Sequence, residues 1–483
     1  MTDLATANRP NILFLMTDQM QGQVLNPDHP CLTPTFDRLA ERGIRFQRAY
    51  TPNAVCSPAR ASLMTGLLPH NHGVLVVTHT VDDDQSCLRT DRPHWAQQLA
   101  EAGYYSGYFG KWHVERTDQL EDFGWQVNGS RNTDLFREKQ AALLGPNPPQ
   151  ANYSPAFDLD QPAGYRQSIF YGVTDVGPEQ RGMGITTELA LDFLEQAGQG
   201  NDPWCCFVSL TEPHDPFIAG QAAFAQYDVE SIPLCPNVHD DLAGQPGLYR
   251  KTAQVWQTMT ERQKQEAAAC YYASISEIDQ QFGRLIDKLT DMGQLDNTII
   301  VLTSDHGELL GSHGMYCKNI SGYEEVYNIP LIVCGPGLAR NTVSQARVGL
   351  HDLCPTLLEL TGQQPFDIPD SRSFAGLLAD PDGQADAFQT GFAEYYGGRI
   401  YLTQRMVWDG DWKYVFNGFD YDELYNLQDD PYELTNLIDD PAYDAQLRRM
   451  TALLWQTVAQ TGDHSLLNSH YPPLRLAPYG PVL

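Results

Sequence analysis

The sequence predicts an α/β protein: a large, mostly parallel sheet sandwiched by helices, followed by a smaller C-terminal α+β domain with an antiparallel sheet. Two observations carry this. Short apolar runs alternate with segments of helical period through the first three quarters of the chain, the pattern of units that place helices on both faces of a parallel sheet. Near residue 365 the texture changes to short strand-like runs joined by Asp-Gly and Asn-Gly turns, which favour hairpins. The domains are accordingly drawn at 1–365 and 366–483. A chain of 483 residues suffices for this pair, with a core that needs no covalent staples.

The elements follow in order. Residues 11–16 (NILFLM) form an unbroken apolar run of buried-strand length. Thr33-Pro34 opens a helix that Gly43 closes, with Phe36, Leu39 and Ala40 at helical spacing. Ser57 and Pro58 read as the cap and first-turn proline of a helix reaching Leu63. Residues 94–102 form a helix stopped by Gly103, and 104–109 a strand. Residues 126–180, rich in Asn, Pro, Gly and Tyr, show no clear period and read as long surface loops that shape a substrate site. A helix at 185–197 ends at Gly198, and 204–210 is a buried strand. Residues 221–258 are again irregular. A long helix spans 260–292, with Tyr272, Ile275, Ile278, Phe282, Leu285 and Leu289 on one side. Strands at 298–303 and 329–333 and a short helix at 351–360 complete the first domain. In the second, 392–396, 405–408, 412–416 and 423–426 read as strands, and 445–460 as the final helix. No internal repeat is visible.

Charge narrows the function. There are 61 acidic and 31 basic residues, a formal net charge of −30. Such a surface repels nucleic acid and anionic lipid, so neither is expected as a partner. An anionic substrate then requires a site made locally positive by Arg, Lys, a metal and helix ends. The ten cysteines have no regular spacing and no paired CxxC arrangement. Cys205, Cys206 and Cys334 lie in apolar runs, as small packing residues do. Free thiols in a reducing compartment are expected. The first ten residues lack a basic start followed by an apolar stretch, and no apolar run reaches membrane-spanning length. A cytoplasmic protein without a membrane anchor is the expectation, and nothing in the sequence indicates an oligomeric state.

Four apolar runs end in polar clusters: Thr17-Asp18-Gln19, Gly110-Lys111-Trp112-His113, Thr211-Glu212-Pro213-His214-Asp215 and Ser304-Asp305-His306-Gly307. Ligand sites of parallel sheets lie outside the carboxyl ends of the strands, so the four can surround one site. A single Asp after a strand is ordinarily a turn or helix cap. Asp18, Gln19, Asp305 and His306 together offer two carboxylates, an amide oxygen and an imidazole, a mainly hard-oxygen set for a divalent cation. Cys56, placed at a helix start, sits beside free backbone N–H groups and the positive dipole end. That position lowers a thiol pKa or binds an oxyanion if the side chain is oxidised; a buried structural cysteine fits the same segment. Lys111, His113, His214 and Lys318 add positive charge and proton-transfer groups. His313 shares a Gly-rich loop with Lys318 and is the weakest of the set. His70 and His72 read equally as pocket lining or as a surface turn and are not assigned to the site.

Residues 56–60 read Cys-Ser-Pro-Ala-Arg, followed by Leu63-Met64-Thr65-Gly66. This resembles the Cys-x-Pro-x-Arg signature of type I sulfatases, members of the alkaline phosphatase superfamily. The segments 11–19, 110–113, 213–217, 304–307 and 314–319 are similar to that family's other motifs, in order. Asp422–Leu427, Asp430-Pro431 and Glu433–Leu437 resemble its C-terminal domain. The resemblance implies an alkaline-phosphatase-like fold. It also implies that a formylglycine-generating enzyme oxidises Cys56 to formylglycine, an aldehyde whose hydrate is the nucleophile. By the same resemblance Arg60 and Lys111 hold that hydrate, His113 is the base that collapses the sulfated hemiacetal, and His214 and Lys318 bind sulfate and assist the leaving oxygen. Asp18, Gln19, Asp305 and His306 would surround the metal, calcium being the family's usual ion. Gln19 stands where many sulfatases have a second Asp, and His306 where they have Asn. The imidazole leaves manganese, magnesium or zinc open.

The expected reaction is hydrolysis of a small-molecule or saccharide sulfate monoester (a sulfated sugar or an aryl or alkyl sulfate) to an alcohol and inorganic sulfate. Two alternatives stand beside it. The superfamily's phosphonate monoester and phosphodiester hydrolases also pair Asp with Gln and Asp with His, although they generally lack the Gly-Lys-Trp-His segment. A non-catalytic anion-binding protein with an unmodified Cys56 is the third reading.

Overall fold

The computed structural model describes residues 9–89, 94–146, 148–159, 163–318, 320–398, 401–467 and 475–481. The N-terminal octapeptide and Asn319, the last residue of the 314–319 motif, lie outside them. Fifteen strands are assigned among these residues. They are β1 (Asn11–Asp18), β2 (Ile44–Tyr50), β3 (Tyr105–Gly110), β4 (Val127–Ser130), β5 (Tyr153–Asp158), β6 (Ile169–Thr174), β7 (Trp204–Pro213) and β8 (Phe217–Gly220). The rest are β9 (Thr298–Ser304), β10 (Leu331–Cys334), β11 (Thr342–Gly349), β12 (Thr390–Tyr395), β13 (Gln404–Asp409), β14 (Trp412–Asn417) and β15 (Glu423–Asn426).

Eight strands form the main sheet in the order β11-β2-β10-β9-β1-β7-β3-β4. All neighbouring pairs are parallel except those made by β10, which runs antiparallel to β2 and β9. Strand β1 is buried along its whole length. Leu13 and Leu15 face one core with Ile275, Ile278 and Phe282 of the helix Glu261–Asp291. Ile12, Phe14 and Met16 face the other with Leu99, Leu357 and Ala59. Two buried faces explain why the strand reads as a continuous apolar run rather than an alternating one.

The helix Pro34–Arg42 has its first-turn proline, but Thr33 makes no capping bond. Asp279, from the long helix, accepts from the backbone N–H groups of Thr35 (3.0 Å) and Phe36 (2.8 Å) instead. Ser57 is likewise not a cap. The helix runs Cys56–Thr65, its N-cap is Val55, and Cys56 is its first residue. Two further expectations are corrected. The stretch 126–180 holds β4, the helix Asp134–Leu144, and β5 and β6, which join β8 in a small three-stranded sheet. The stretch 221–258 contains the short helices Gln221–Phe224 and Gly247–Ala253. Strands β2 and β11 escaped the reading because they lack an apolar run. Arg45, Gln47 and Arg48 interrupt β2, whose Arg48 pairs with Asp411 beyond the sheet.

The C-terminal sheet is an antiparallel meander, β12-β13-β14-β15. One face carries Tyr414, Phe416 and Leu424 against Leu447, Met450 and Leu454 of the helix Asp444–Thr461. Each such buried side chain contributes roughly 1.5–3 kcal/mol. The other face packs Met406, Trp408 and Val415 on Tyr323, Val326 and Tyr327. All ten cysteines are free thiols. Among the described residues, no helix is long and apolar enough to cross a membrane.

His70 joins the two sheets' surroundings. Its Nδ1 bonds the Glu394 carboxylate of β12, and its Nε2 reaches the Thr461 carbonyl at 3.0 Å. Burial disfavours the imidazolium, but Glu394 outweighs it and raises the His70 pKa to about 9. The stabilisation is therefore complete below the ordinary histidine value of 6.5 and lost as pH rises through about 9. We expect the unfolding free-energy gap between wild type and His70→Gln, on the order of 3 kcal/mol at pH 6, to shrink steadily by pH 10. A gap that is the same at both pH values would show that the contact does not depend on charge.

Candidate active site

Strands β9, β1, β7 and β3 are consecutive and parallel, so their carboxyl ends share one edge of the sheet. Asp18 ends β1, and Asp305 follows β9. Lys111 follows β3, and His214 follows β7. Gly110 permits the turn into Lys111: its φ is +98°, and a Cβ there would lie 2.0 Å from the Ser209 carbonyl oxygen. The helix Cys56–Thr65 brings Cys56 and Arg60, one turn apart, to the same edge.

Arg60 is the hub. Its side chain is 1% exposed, and it donates from Nη2 to Asp18 Oδ2 (2.9 Å) and from Nε to Asp305 Oδ2 (2.8 Å). Its Nη1 donates to Ser209 Oγ at 2.8 Å and to the Lys111 carbonyl at 2.9 Å. The Lys111 ammonium also bonds Asp18 Oδ2. Burial and the neighbouring Cys56 oppose charge on Asp18, but Lys111, His214 and Arg60 prevail and hold it well below the ordinary carboxylate range. Asp305 shifts the other way, raised by burial and by Asp18.

Cys56 lies beside this pair. Its Sγ is 3.7 Å from Asp18 Oδ1 and 3.3 Å from His306 Nε2. Burial would raise its pKa, but Lys111, Lys318 and His306, helped by His113, pull it well below the usual thiol value. The sulfur marks where the oxygens of an oxidised side chain would stand.

The donors fit a metal. One ligand atom each from Asp18, Cys56, Asp305 and His306 lie within 4.8 Å of one another, all buried. His306 Nδ1 is engaged with the Gly307 carbonyl at 2.9 Å, which leaves the Nε2 lone pair facing the two carboxylates, each 3.8 Å away. Asp18 Oδ1 has no arginine or lysine on it, unlike Oδ2. These groups would hold the cation.

Gln19, expected to stand by the metal, is bonded at both ends of its amide. Its Nε2 donates to Asp215 Oδ1 (3.0 Å) and Glu308 Oε2 (2.6 Å), and its Oε1 accepts from Lys318 Nζ (3.0 Å). Two carboxylates on one end and an ammonium on the other fix the amide orientation, so its oxygen serves Lys318. Lys318 Nζ is also 2.6 Å from His214 Nε2, while His214 Nδ1 bonds the Asp215 carbonyl at 2.7 Å. Burial opposes charge on Lys318, but Cys56, Asp215 and Asp18 keep it firmly protonated. His113 lines the same cleft as Cys56, and its Nε2 is 2.9 Å from His79 Nδ1. Gln19, His113 and Cys317 all have positive φ, so backbone strain gathers around this edge.

The structure thus unites Asp18, Gln19, Cys56, Arg60, Lys111, His113, His214, Asp305, His306 and Lys318 around one edge. His313 is elsewhere, bonded to Asp240 and stacked on Tyr323. His72 is buried against Ser62. Sequence reasoning missed Ser209, Glu308 and His79. Glu308 follows His306 by two residues and was open to suspicion; nothing local marks the other two. A cleft of about 880 Å³ opens above Cys56, with Lys111, His113, His214, Lys318 and Tyr395 among its walls.

Comparison with known proteins agrees with this geometry. The sulfatase family profile matches residues 10–363, and the profile described as N-sulphoglucosamine sulphohydrolase, C-terminal, matches 311–460. Choline-sulfatase of Rhizobium meliloti (strain 1021) is 30% identical over 476 residues, covering 92% of this chain and 86% of that one. N-acetylglucosamine-6-O-sulfatase of Bacteroides thetaiotaomicron is 25% identical over 528 residues, covering 94% and 87%. Among solved structures, the phosphonate monoester hydrolase of Silicibacter pomeroyi superimposes with a TM-score of 0.79 over 95% of this chain and 96% of its own. Its identity is 23%, so that likeness speaks for the fold alone.

Binding to the native carboxylate pair links metal to stability. After EDTA treatment, a saturating divalent cation (Ca2+, Mn2+, Mg2+ or Zn2+ in turn) is expected to raise the melting temperature, by about 2.7 kcal/mol of stabilisation at a hundredfold excess over Kd. Asp305→Asn should abolish the rise. A wild-type melting curve indifferent to all four ions would remove the metal from the site.

Proposed function

We propose a specific reaction for this chain, which belongs to the sulfatase family of the alkaline phosphatase superfamily and is a sulfuric ester hydrolase. The substrate is a sulfate monoester, R–O–SO3⁻, and the products are R–OH and inorganic sulfate. One observation carries this reading: a cysteine at the floor of a cleft, within 3.7 Å of Asp18 and 3.3 Å of His306, among Arg60, Lys111 and Lys318. A net charge of −30 repels an anion everywhere else, and this pocket concentrates cations instead.

Cys56 is the residue that a formylglycine-generating enzyme would oxidise. As formylglycine it supplies a hydrated aldehyde: one oxygen takes the sulfuryl group, and the other releases its proton as sulfate departs and the carbonyl returns. The bound cation supplies Lewis-acid stabilisation of negative oxygen. We keep calcium as the ion, with manganese, magnesium and zinc admitted by the His306 imidazole.

The protein's own groups divide the remaining work. Arg60 and Lys111 fix Asp18 and keep it charged. Lys318 and His214, 2.6 Å apart, offer a shared proton and positive charge to the sulfate and to the departing alcohol oxygen. His113 receives a proton from position 56. Gln19 orients Lys318 through its amide oxygen. The rim includes Glu115, Asp118, Arg131 and Asn132, polar side chains suited to the hydroxyl groups of a sugar, and a volume of about 880 Å³ admits one. A sulfated saccharide is therefore the favoured class over a small alkyl sulfate. The relatives described above include both a choline-sulfatase and an N-acetylglucosamine-6-O-sulfatase.

The phosphonate monoester or phosphodiester reading shares the Asp18-Gln19 and Asp305-His306 pairs and is a competitor in the same assay. Protein co-expressed with the maturing enzyme should lose about 18 Da as thiol becomes aldehyde. An unchanged mass would favour the anion-binding alternative. On the matured protein, sulfated sugars and aryl sulfates should exceed phosphonate and phosphodiester analogues in kcat/KM by at least about tenfold. The reverse order would assign the enzyme to phosphorus chemistry. Cys56→Ala should eliminate turnover while leaving the melting profile folded; activity near wild type in that variant would refute the mechanism.

A further inference from the structure

His79 lies outside every motif, yet it occupies the outer nitrogen of His113. The Nδ1 of His79 is 2.9 Å from the Nε2 of His113, and the two rings stack at 5.0 Å with planes 27° apart. The other nitrogen of His113, Nδ1, is buried and has no hydrogen-bond partner among the described residues. His113 and Cys56 line the same cleft. With Nε2 taken by His79, Nδ1 is the nitrogen left for position 56.

The loop that carries His79 is held from the segment after β3 that carries His113. Arg116, three residues after His113, donates from Nη2 to the carbonyls of Thr78 (2.7 Å), Asp82 (2.7 Å) and Gln85 (2.9 Å). Ser86 ties the loop's ends by bonding the Val76 carbonyl at 2.7 Å. One segment thus supplies a base and grips the backbone of its partner. His79 also lines the cleft.

We propose that His79 is a positioning residue that fixes the tautomer of His113, accepting at Nδ1 the Nε2–H of His113 so that the Nδ1 lone pair of His113 faces position 56. The inference rests on the sulfatase reading above. The opposite arrangement, with His79 donating, would place the His113 proton on Nδ1 and leave no base toward Cys56. When His113 takes the hydroxyl proton at Nδ1, the O–H bond breaks and an N–H bond forms. The resulting imidazolium then carries both ring protons, its Nε2–H still bonded to His79. An imidazole held this way needs no reorientation between accepting a proton and returning it to solvent.

Two measurements test this, one of them independent of maturation. In the unmodified Cys56 protein labelled with 15N-histidine, the His113 ring, assigned by its loss in His113→Gln, should show the Nε2–H tautomer. His79→Ala should convert it to a mixture, and His79→Asn should restore it. In matured protein assayed with 4-nitrophenyl sulfate, His79→Ala should lower kcat by about 10- to 100-fold with KM little changed. A first-turnover burst of nitrophenol should appear, because only the later proton transfer is slowed. His79→Asn should recover most of the rate. An unchanged His113 tautomer in His79→Ala overturns the proposal, and so does a rise in KM without a burst, which would make His79 a substrate contact only. A matured wild type inactive on every sulfate ester would defeat the functional reading, while the tautomer result would still decide the histidine pair.

Discussion

One buried arginine organises the site. Arg60 binds Asp18 and Asp305, carboxylates carried by adjacent parallel strands, through separate guanidinium nitrogens. Leaving such charges buried without their partner costs about 3–5 kcal/mol, so the arginine holds together what repulsion would separate. Its fork also reaches Ser209 and the Lys111 backbone, which fixes the ends of β7 and β3 in the same act. A lysine, with one point charge, lacks the geometry to span four partners at four strands. Cys56 precedes Arg60 by one helical turn. Docking the arginine therefore delivers the cysteine to the carboxylates.

The electrostatics of the molecule have two scales. The surface is strongly acidic, while the cleft collects Lys111, Lys318 and three histidines around a cysteine. Glu308 and Asp215 moderate this. They sit behind Gln19, which presents its amide N–H groups to them and its oxygen to Lys318. The amide thus insulates the ammonium from two carboxylates that would otherwise neutralise it. Glu308 is raised to about 7, chiefly by burial, so even its charge is weakened there. The arrangement keeps a full positive charge available to an anion in an otherwise negative protein.

The layered fold was legible because it rests on local pattern. The run at 11–16, the Pro34 helix start, the long amphipathic helix and the four C-terminal strands were each visible in composition and period. What escaped reading has a common cause. Strand β2 alternates with charged residues that find partners beyond the sheet, and β11 covers it at the edge. Within 126–180, β4 and β6 gain their burial from strands distant in sequence, β3 and β8. Ser57 read as a cap because its chemistry suits one, but the cap is Val55, two residues earlier.

The sequence by itself determined which side chains could do chemistry, and that four strand ends would bring most of them to one edge, since parallel topology aligns the ends of strands whatever the loops do. Only the tertiary structure decided how each is used. It bonded the Gln19 amide oxygen to Lys318, set His313 aside on Asp240, and brought His79 against His113. Those outcomes depend on hydrogen bonds between residues dozens to hundreds of positions apart, and bond direction over such separations leaves no periodic trace in a chain.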